Sequence, residues 1–138
     1  MGEFKFLEHT ADVGIIATGD SLAEALSWAA RGMFSVIAEL DNVAPRESLE
    51  VSVSAPDQEA LTVDWLNELL YRYEAEGFLP REFLVSVDET GTNLEAQCLG
   101  EPFDPERHHI LTSVKAATYH ELMVTHNQQW QIQVILDV

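Results

Sequence analysis

Two aspartates that could bind a metal ion lie near opposite ends of this 138-residue chain. Asp12 directly precedes the apolar run at 13–17, and Asp137 stands immediately before the final Val138. If the strands that these segments predict are neighbours, their ends bring two side-chain carboxylates and the terminal carboxylate of Val138 together. Such a cluster of anionic oxygens requires a cation, and oxygen ligands select Ca2+, Mg2+ or Mn2+ over zinc. The alternative is that Asp12 caps a turn and that Asp137 is a solvated strand end.

The histidines are the other candidate ligands. His9 lies three residues before Asp12, where it is a candidate further ligand or a hydrogen-bond partner of a ligand. The alternative is a half-buried polar group paired with the backbone, and both alternatives also apply to His120. The pair His108 and His109 lies in a polar loop, and we expect both side chains to be exposed.

The common catalytic signatures are missing from the chain, which has no glycine-rich phosphate loop, GxSxG, HExxH or CxxC. The single cysteine, Cys98, excludes an internal disulfide and a zinc site built on paired thiolates. Because Leu94 and Ala96 alternate with polar residues before it, we expect Cys98 to be a buried filler of a strand. Lys115 lies among apolar strand residues, and we expect it to neutralise a carboxylate within the domain. The sequence therefore predicts no catalytic residues.

The charge of the chain restricts its direct partners. Seven Lys and Arg against 24 Asp and Glu give 7 − 24 = −17. Nucleic acids are held mainly by Lys and Arg that neutralise phosphates, so direct nucleic-acid binding is not expected. An acidic surface instead suits a basic protein partner or a hard cation. No apolar stretch approaches the roughly 20 residues of a membrane span, and no basic segment precedes one, so we expect a cytoplasmic protein.

The elements that must position these residues follow from periodicity and capping signals. A helix is predicted from Ser21, which forms a capping box with Glu24, and a second from Asp57 to a stop at Gly77. Its run at 65–71 is apolar nearly all round, which favours core packing, with an exposed partner-binding face as the alternative. Alternating patterns predict a strand at 47–54 and a hairpin at 83–98 with its turn at 89–91. They also predict a second antiparallel pair of strands, at 114–124 and 130–138, joined by a turn at 125–129.

No linker interrupts this pattern, so residues 1–138 are expected to form a single α+β domain. Its two main helices pack on one face of a mixed or antiparallel sheet.

Four segments in this framework carry a resemblance to a known family: HTADVGI at 9–15, WLNELLY at 65–71, VKAATYH at 114–120 and VILDV at 134–138. In this order and spacing the chain resembles the archease family of small acidic proteins along essentially its whole length.

The resemblance implies a function that composition does not. Archeases are activating partners of the RtcB-type RNA-splicing ligase, which joins 3′-phosphate or 2′,3′-cyclic phosphate ends to 5′-hydroxyl ends in tRNA splicing and RNA repair. They promote guanylylation of the ligase's histidine and thereby multiple turnover, without being enzymes themselves. Two alternatives stay open: a chaperone or specificity modulator for a tRNA-modifying enzyme such as a tRNA methyltransferase, and a metal-dependent phosphoesterase with His9 as the nearest base.

The resemblance also implies a fold and a site. The family fold resembles a duplicated strand-helix-strand-strand module. The family's metal site corresponds here to Asp12, Asp137 and Val138, with His9 as a possible further ligand or ligand partner. Ca2+ is the favoured cation, with Mg2+ or Mn2+ as alternatives.

Overall fold

The computed structural model describes residues 2–7 and 12–138. The described residues form eight strands and two α-helices, with a 3-10 turn at Leu40–Asn42. In chain order they are β1 (Glu3–Leu7), β2 (Val13–Gly19), α1 (Leu22–Ile37), β3 (Glu47–Ser54), α2 (Gln58–Glu76), β4 (Phe78–Val87), β5 (Asn93–Pro102), β6 (Ala116–Ala117), β7 (Met123–Asn127) and β8 (Gln129–Asp137). Among the described residues, neither helix combines the length with the apolar composition that a membrane crossing requires.

The strands form two antiparallel sheets. The larger has the order β1-β2-β8-β6, with β7 also paired to β8, and the smaller has the order β3-β5-β4. The expected α+β domain with two main helices on antiparallel strands is therefore confirmed, with the strands divided between two sheets. Both helices contact both sheets, and the buried apolar side chains of all these elements form one core.

Helix α1 begins as its capping signal predicts. Oγ of Ser21 accepts the N–H of Glu24 at 3.1 Å, and Oε1 of Glu24 accepts the N–H of Asp20 at 2.8 Å. These bonds satisfy N–H groups that have no partner within the helix. The helix buries an apolar stripe that includes Leu26 and Met33.

Helix α2 also begins and ends at the predicted residues. Oδ1 of Asp57 accepts the N–H of Ala60 at 2.8 Å. At the other end Gly77 has φ +71°, the left-handed conformation that glycine adopts without steric cost, and its N–H donates to the carbonyl of Tyr73. Because α2 packs against both sheets, its apolar run lies in the core; Trp65 is fully buried and Tyr71 remains exposed.

The predicted hairpin is confirmed, and it extends beyond its expected ends. In its register Phe83 faces Cys98 and Val85 faces Ala96, and all four side chains point towards the core. Cys98 is fully buried, as expected. Burial raises the pKa of its thiol to about 12, with a smaller opposing effect of Arg72.

The prediction of one continuous strand at 114–124 is wrong. Only Ala116–Ala117 pair with the end of β8, and the chain then turns, with Glu121 at φ +52°, before β7 begins at Met123. Thr118 ends the short strand by donating both its N–H and its hydroxyl to the carbonyl of Ile135. The predicted turn at 125–129 is also shorter, since Gln128 at φ +59° alone separates β7 from β8.

Candidate functional site

The two central strands of the larger sheet bring Asp12 and Asp137 to adjoining positions. In the antiparallel β2–β8 pair Val13 lies opposite Leu136. Asp12 precedes Val13 and Asp137 follows Leu136, so the two aspartates occupy the next position across the same pair. Asp137 is exposed and Asp12 is half-buried. The strand adjacency on which the predicted site depends is therefore present.

The short strand β6 adds a third chain segment beside Asp137. Ala116 is paired with Asp137, and the N–H of Lys115 donates to the Asp137 carbonyl at 2.8 Å. The side chain of Lys115 is exposed, and within the part of the chain that the structure describes it forms no ion pair. Its expected role of neutralising a carboxylate inside the domain is not supported, because β6 lies at the rim of the sheet, where the ammonium group reaches solvent.

Asn67 of α2 holds β6 from its other side. Its Oδ1 accepts the N–H of Ala117 at 2.8 Å, and its Nδ2 donates to the Ala117 carbonyl at 3.2 Å. Sequence reasoning did not identify this residue. The available signal was the only amide in the largely apolar run at 65–71. Through Asn67, three of the four segments that carry the family resemblance meet at the end of β8. They are the segments at 65–71, 114–120 and 134–138.

The donors at this end fit a hard cation by their chemistry. They are the carboxylates of Asp12 and Asp137 and the main-chain oxygens of Val138, and all are oxygens of the kind that Ca2+ prefers. Val138 is half-buried and packs against the core. His9 lies outside the described residues. Among residues 2–7 and 12–138, no three His, Cys, Asp or Glu side chains group as metal ligands do.

Another carboxylate, that of Glu101, lies fully buried at the end of β5. Burial alone would raise its pKa, but the hydrogen bonds that it accepts outweigh that effect and lower the pKa to about 2. Its donors are the Ala44 N–H at 2.8 Å, Nε2 of His108 at 2.8 Å, Nε of Arg46 at 2.9 Å and the guanidinium of Arg107. Because both carboxylate oxygens are already occupied by protein donors, this cluster has a structural role.

The expectation for the histidine pair is half wrong. His109 is exposed as expected, but His108 is buried. Its Nδ1 accepts the N–H of Asp104 at 2.8 Å while its Nε2 faces Glu101. The turn at 104–107 folds the polar loop back over β5, a tertiary arrangement that polarity along the chain does not reveal.

His120 is exposed, and its Nε2 lies 3.9 Å from Oε2 of Glu121.

A groove of about 660 Å³ lies away from these clusters, between α1 and β4. Its charged lining residues are Glu24, Arg31 and Glu82. Within it, Oγ of Ser27 donates to the carbonyl of Phe83 at 2.9 Å. The groove is thus the space left beside a helix that covers the open edge of a sheet.

Comparisons with known proteins agree with this architecture. The model of the Archease protein family (MTH1598/TM1083) matches residues 4–138. A protein archease of Sulfurisphaera tokodaii is 41% identical over 132 residues, covering 96% of this chain and 95% of its own length. A protein archease of Pyrococcus abyssi is 38% identical over 142 aligned positions, covering 100% of both chains.

Solved structures share the fold. The solution structure of Methanobacterium thermoautotrophicum protein 1598 superposes with a TM-score of 0.81 at 31% identity, covering 98% of each chain. A crystal structure of a Thermotoga maritima archease has a TM-score of 0.68 at 21% identity, covering 97% of this chain and 96% of its own. With a family model matched along nearly its whole length and relatives above one-third identity, the chain belongs to the archease family.

Proposed function

We propose that this archease is a cytoplasmic activating partner of an RtcB-type RNA ligase. It promotes guanylylation of the ligase's histidine and so allows multiple turnover in tRNA splicing and RNA repair. A divalent cation, Ca2+ in preference to Mg2+ or Mn2+, is held by Asp12, Asp137 and Val138. The observation that carries the proposal is the pairing of Val13 with Leu136, which brings both aspartates to one end of the sheet.

The chemistry of this end suits an accessory role. When bound, the cation would supply positive charge for the phosphate oxygens of a nucleotide, and its carboxylate ligands would help to order metal ions in the ligase's active site. Asp12 and Asp137 hold the ion near the surface, and Lys115 provides an exposed ammonium group on the adjoining segment. Among the described residues, the titratable side chains at this end of the sheet are the two carboxylates and the ammonium group of Lys115, and we assign the reacting groups to the ligase.

Net charge supports a protein partner over a direct RNA contact. At −17, the chain repels phosphate backbones, whereas an RNA-binding ligase must carry basic surface. Opposite charges steer two proteins together and fix their relative orientation. RNA processing through a protein complex is therefore consistent with both the family and the composition.

A reconstitution assay tests the proposal directly. Purified ligase is assayed for guanylylation and for turnovers per enzyme with wild-type archease, Asp12→Asn or Asp137→Asn. Each substitution keeps the side-chain shape and removes one ligand charge, and we expect a loss of activation of about 10-fold or more. Glu50→Gln, an exposed site on the smaller sheet, is the matched control and should activate normally. Folded aspartate variants that activate like wild type would refute the proposal.

Cation binding has its own measurement. Ca2+ that binds only the folded protein should raise the free energy of unfolding by about 2.7 kcal/mol at a concentration 100 times its dissociation constant. Thermal unfolding with Ca2+ and with a chelator should show this gain in wild type and in Glu50→Gln. The gain should be largely absent in Asp137→Asn. Equal unfolding temperatures for the wild type with Ca2+ and with chelator would contradict the metal assignment.

A chaperone role is the second candidate, because the Thermotoga maritima structure is described as that of an archease, "possible chaperone". The client would be a tRNA-modifying enzyme such as a methyltransferase, and the cation would only stabilise the fold. Since Trp65, Leu66, Leu69 and Leu70 are buried and Tyr71 is 58% exposed, the client surface on α2 would centre on Tyr71. Binding of a methyltransferase that Tyr71→Ala weakens and Asp137→Asn leaves intact would favour this role.

The phosphoesterase alternative is separated by a simpler assay. Purified archease with Ca2+, Mg2+ or Mn2+ is incubated with a chromogenic phosphodiester in the absence of any ligase. We expect no turnover above that of the metal ions alone. Hydrolysis that His9→Ala abolishes would instead indicate an enzyme.

A further inference from the structure

The candidate cation site of Asp12, Asp137 and Val138, called here the carboxylate site, is flanked by β6. This strand is too short to be stabilised by its pairing with β8 alone. β6 consists of Ala116–Ala117, at the rim of the larger sheet. On its inner side it bonds to β8, where Lys115 and Thr118 donate their N–H groups to the carbonyls of Asp137 and Ile135. In an antiparallel ladder, alternate residues direct their N–H and C=O away from the partner strand. Ala117 is such a residue, and its backbone would need a further strand.

The side-chain amide of Asn67 occupies the place of that strand. It accepts from Ala117 N–H at 2.8 Å and donates to Ala117 C=O at 3.2 Å, the reciprocal pattern that two backbones form across a ladder. Ala117 is 4% exposed, so solvent does not compete for these groups. The amide is anchored by α2, whose neighbouring residues Leu66 and Leu70 are buried in the core.

We infer that Asn67 is a positioning residue of the carboxylate site. By fixing Ala117 it fixes β6, and β6 holds the main chain of Asp137, which directly precedes Val138, in the position that cation binding requires. This inference rests on the proposed function, because it assigns a role at the same site. Beyond that proposal, we infer that the affinity of the site for a cation depends on a residue of α2 that is not itself a ligand. Both polar atoms of its side chain are bonded to Ala117.

The alternative is that Asn67 only satisfies two buried backbone groups and supports the fold. In that case its loss would lower stability and leave the affinity of the folded protein for a cation unchanged. The two roles therefore differ in a binding measurement made well below the unfolding temperature.

The test is Ca2+ titration calorimetry on full-length wild type, Asn67→Leu and Asn67→Gln. Asn67→Leu removes both hydrogen bonds at similar volume and unchanged charge, and we expect affinity for Ca2+ to fall by about 10- to 100-fold. Asn67→Gln keeps an amide on a longer stem, and should recover part of the loss. Val51→Ala, in the core of the smaller sheet, is the control for destabilisation alone and should bind like wild type.

Amide hydrogen exchange gives a readout without metal. In Asn67→Leu, exchange of Lys115 and Thr118 N–H should accelerate by at least about 10-fold, as local opening becomes easier. The N–H of Ala55, which donates to the carbonyl of Thr92 just beyond the paired ends of β3 and β5, should keep its wild-type rate. If Asn67→Leu fails to fold, the Gln variant decides both readouts.

The outcomes separate the inference from the function on which it rests. A wild type that binds no Ca2+, Mg2+ or Mn2+ refutes the metal part of the proposed function, and the positioning role with it. A wild type that binds, with both Asn67 variants matching Val51→Ala in affinity and wild type in exchange, overturns the positioning role alone. Weaker binding in folded Asn67 variants, with faster exchange confined to 115–118, supports it.

Discussion

Nε2 of His108 lies 2.8 Å from Oε2 of Glu101, and the side chains of both residues are completely buried. Because Nδ1 of His108 accepts the N–H of Asp104, the imidazole proton lies on Nε2 and the neutral ring donates to the carboxylate. The guanidinium groups of Arg46 and Arg107 balance the charge of Glu101. This network ties the loop after β5 and the segment before β3 to the end of β5.

The network makes folding sensitive to acid. The pKa of Glu101 in the folded protein, about 2, lies below its ordinary value of 4.5. The unfolded chain therefore takes up a proton first as the pH falls, and the stabilisation is complete above pH 4.5 and is lost between that value and about pH 2. Urea unfolding across this window should show stability falling more steeply in wild type than in Glu101→Gln. Equal slopes would contradict the assignment.

At neutral pH the same substitution tests the strength of the network. Glu101→Gln replaces charge-assisted bonds with neutral ones and turns an amide N–H towards a donor. We expect a loss of about 1.5–3 kcal/mol in the free energy of unfolding. Glu95→Gln, at an exposed position on the same strand, is the control and should change stability by less than about 0.5 kcal/mol.

Trp65 connects the two helices. It is fully buried, its Nε1 donates to the carbonyl of Leu26 at 3.0 Å, and its ring packs edge-on against Phe83 at 6.1 Å between centroids. Trp65→Phe leaves a cavity and removes the hydrogen bond, and should destabilise the protein by about 2–4 kcal/mol. Tyr71→Phe, on the exposed side of α2, should have little effect in the same denaturant titration.

The cysteine should be chemically silent in the folded protein. Burial raises the pKa of Cys98 to about 12, so the thiolate that reacts with disulfide reagents is scarce and shielded at mildly alkaline pH. We expect negligible labelling by a disulfide reagent under native conditions and complete labelling in concentrated guanidinium chloride. Rapid native labelling, at a rate independent of unfolding, would show that the side chain is accessible.

Association with the ligase should depend on salt. If the charge of −17 steers the archease to a basic surface, the association rate should fall markedly as ionic strength rises, with a smaller change in the dissociation rate. Stopped-flow measurements over a range of salt concentrations provide the test. An association rate that does not respond to salt would remove long-range steering from the proposal.

Much of the local structure follows from the sequence because the interactions that define it join close neighbours. Ser21 and Asp57 accept N–H groups three residues ahead, and Gly77 ends α2 through a bond four residues back. The alternating residues of β3 and β5 face the core as their pattern predicts. At 114–124 the apolar pattern predicts a strand that is too long, because the bonds of Thr118 to β8 and the turn after it depend on a segment farther along the chain.

The contacts between distant residues depend on how the elements pack. The sequence predicts that Asp12 and Asp137 are strand-end carboxylates, but their adjacency depends on the pairing of β2 with β8. The partner of Asn67 lies 50 residues away, and Glu101 meets His108 because a loop folds back over its strand. Periodicity and capping describe each element's own faces and ends, whereas these contacts depend on how the elements pack. Most of the elements, the family resemblance and the candidate ligands therefore follow from local sequence patterns, whereas the contacts between distant residues depend on packing.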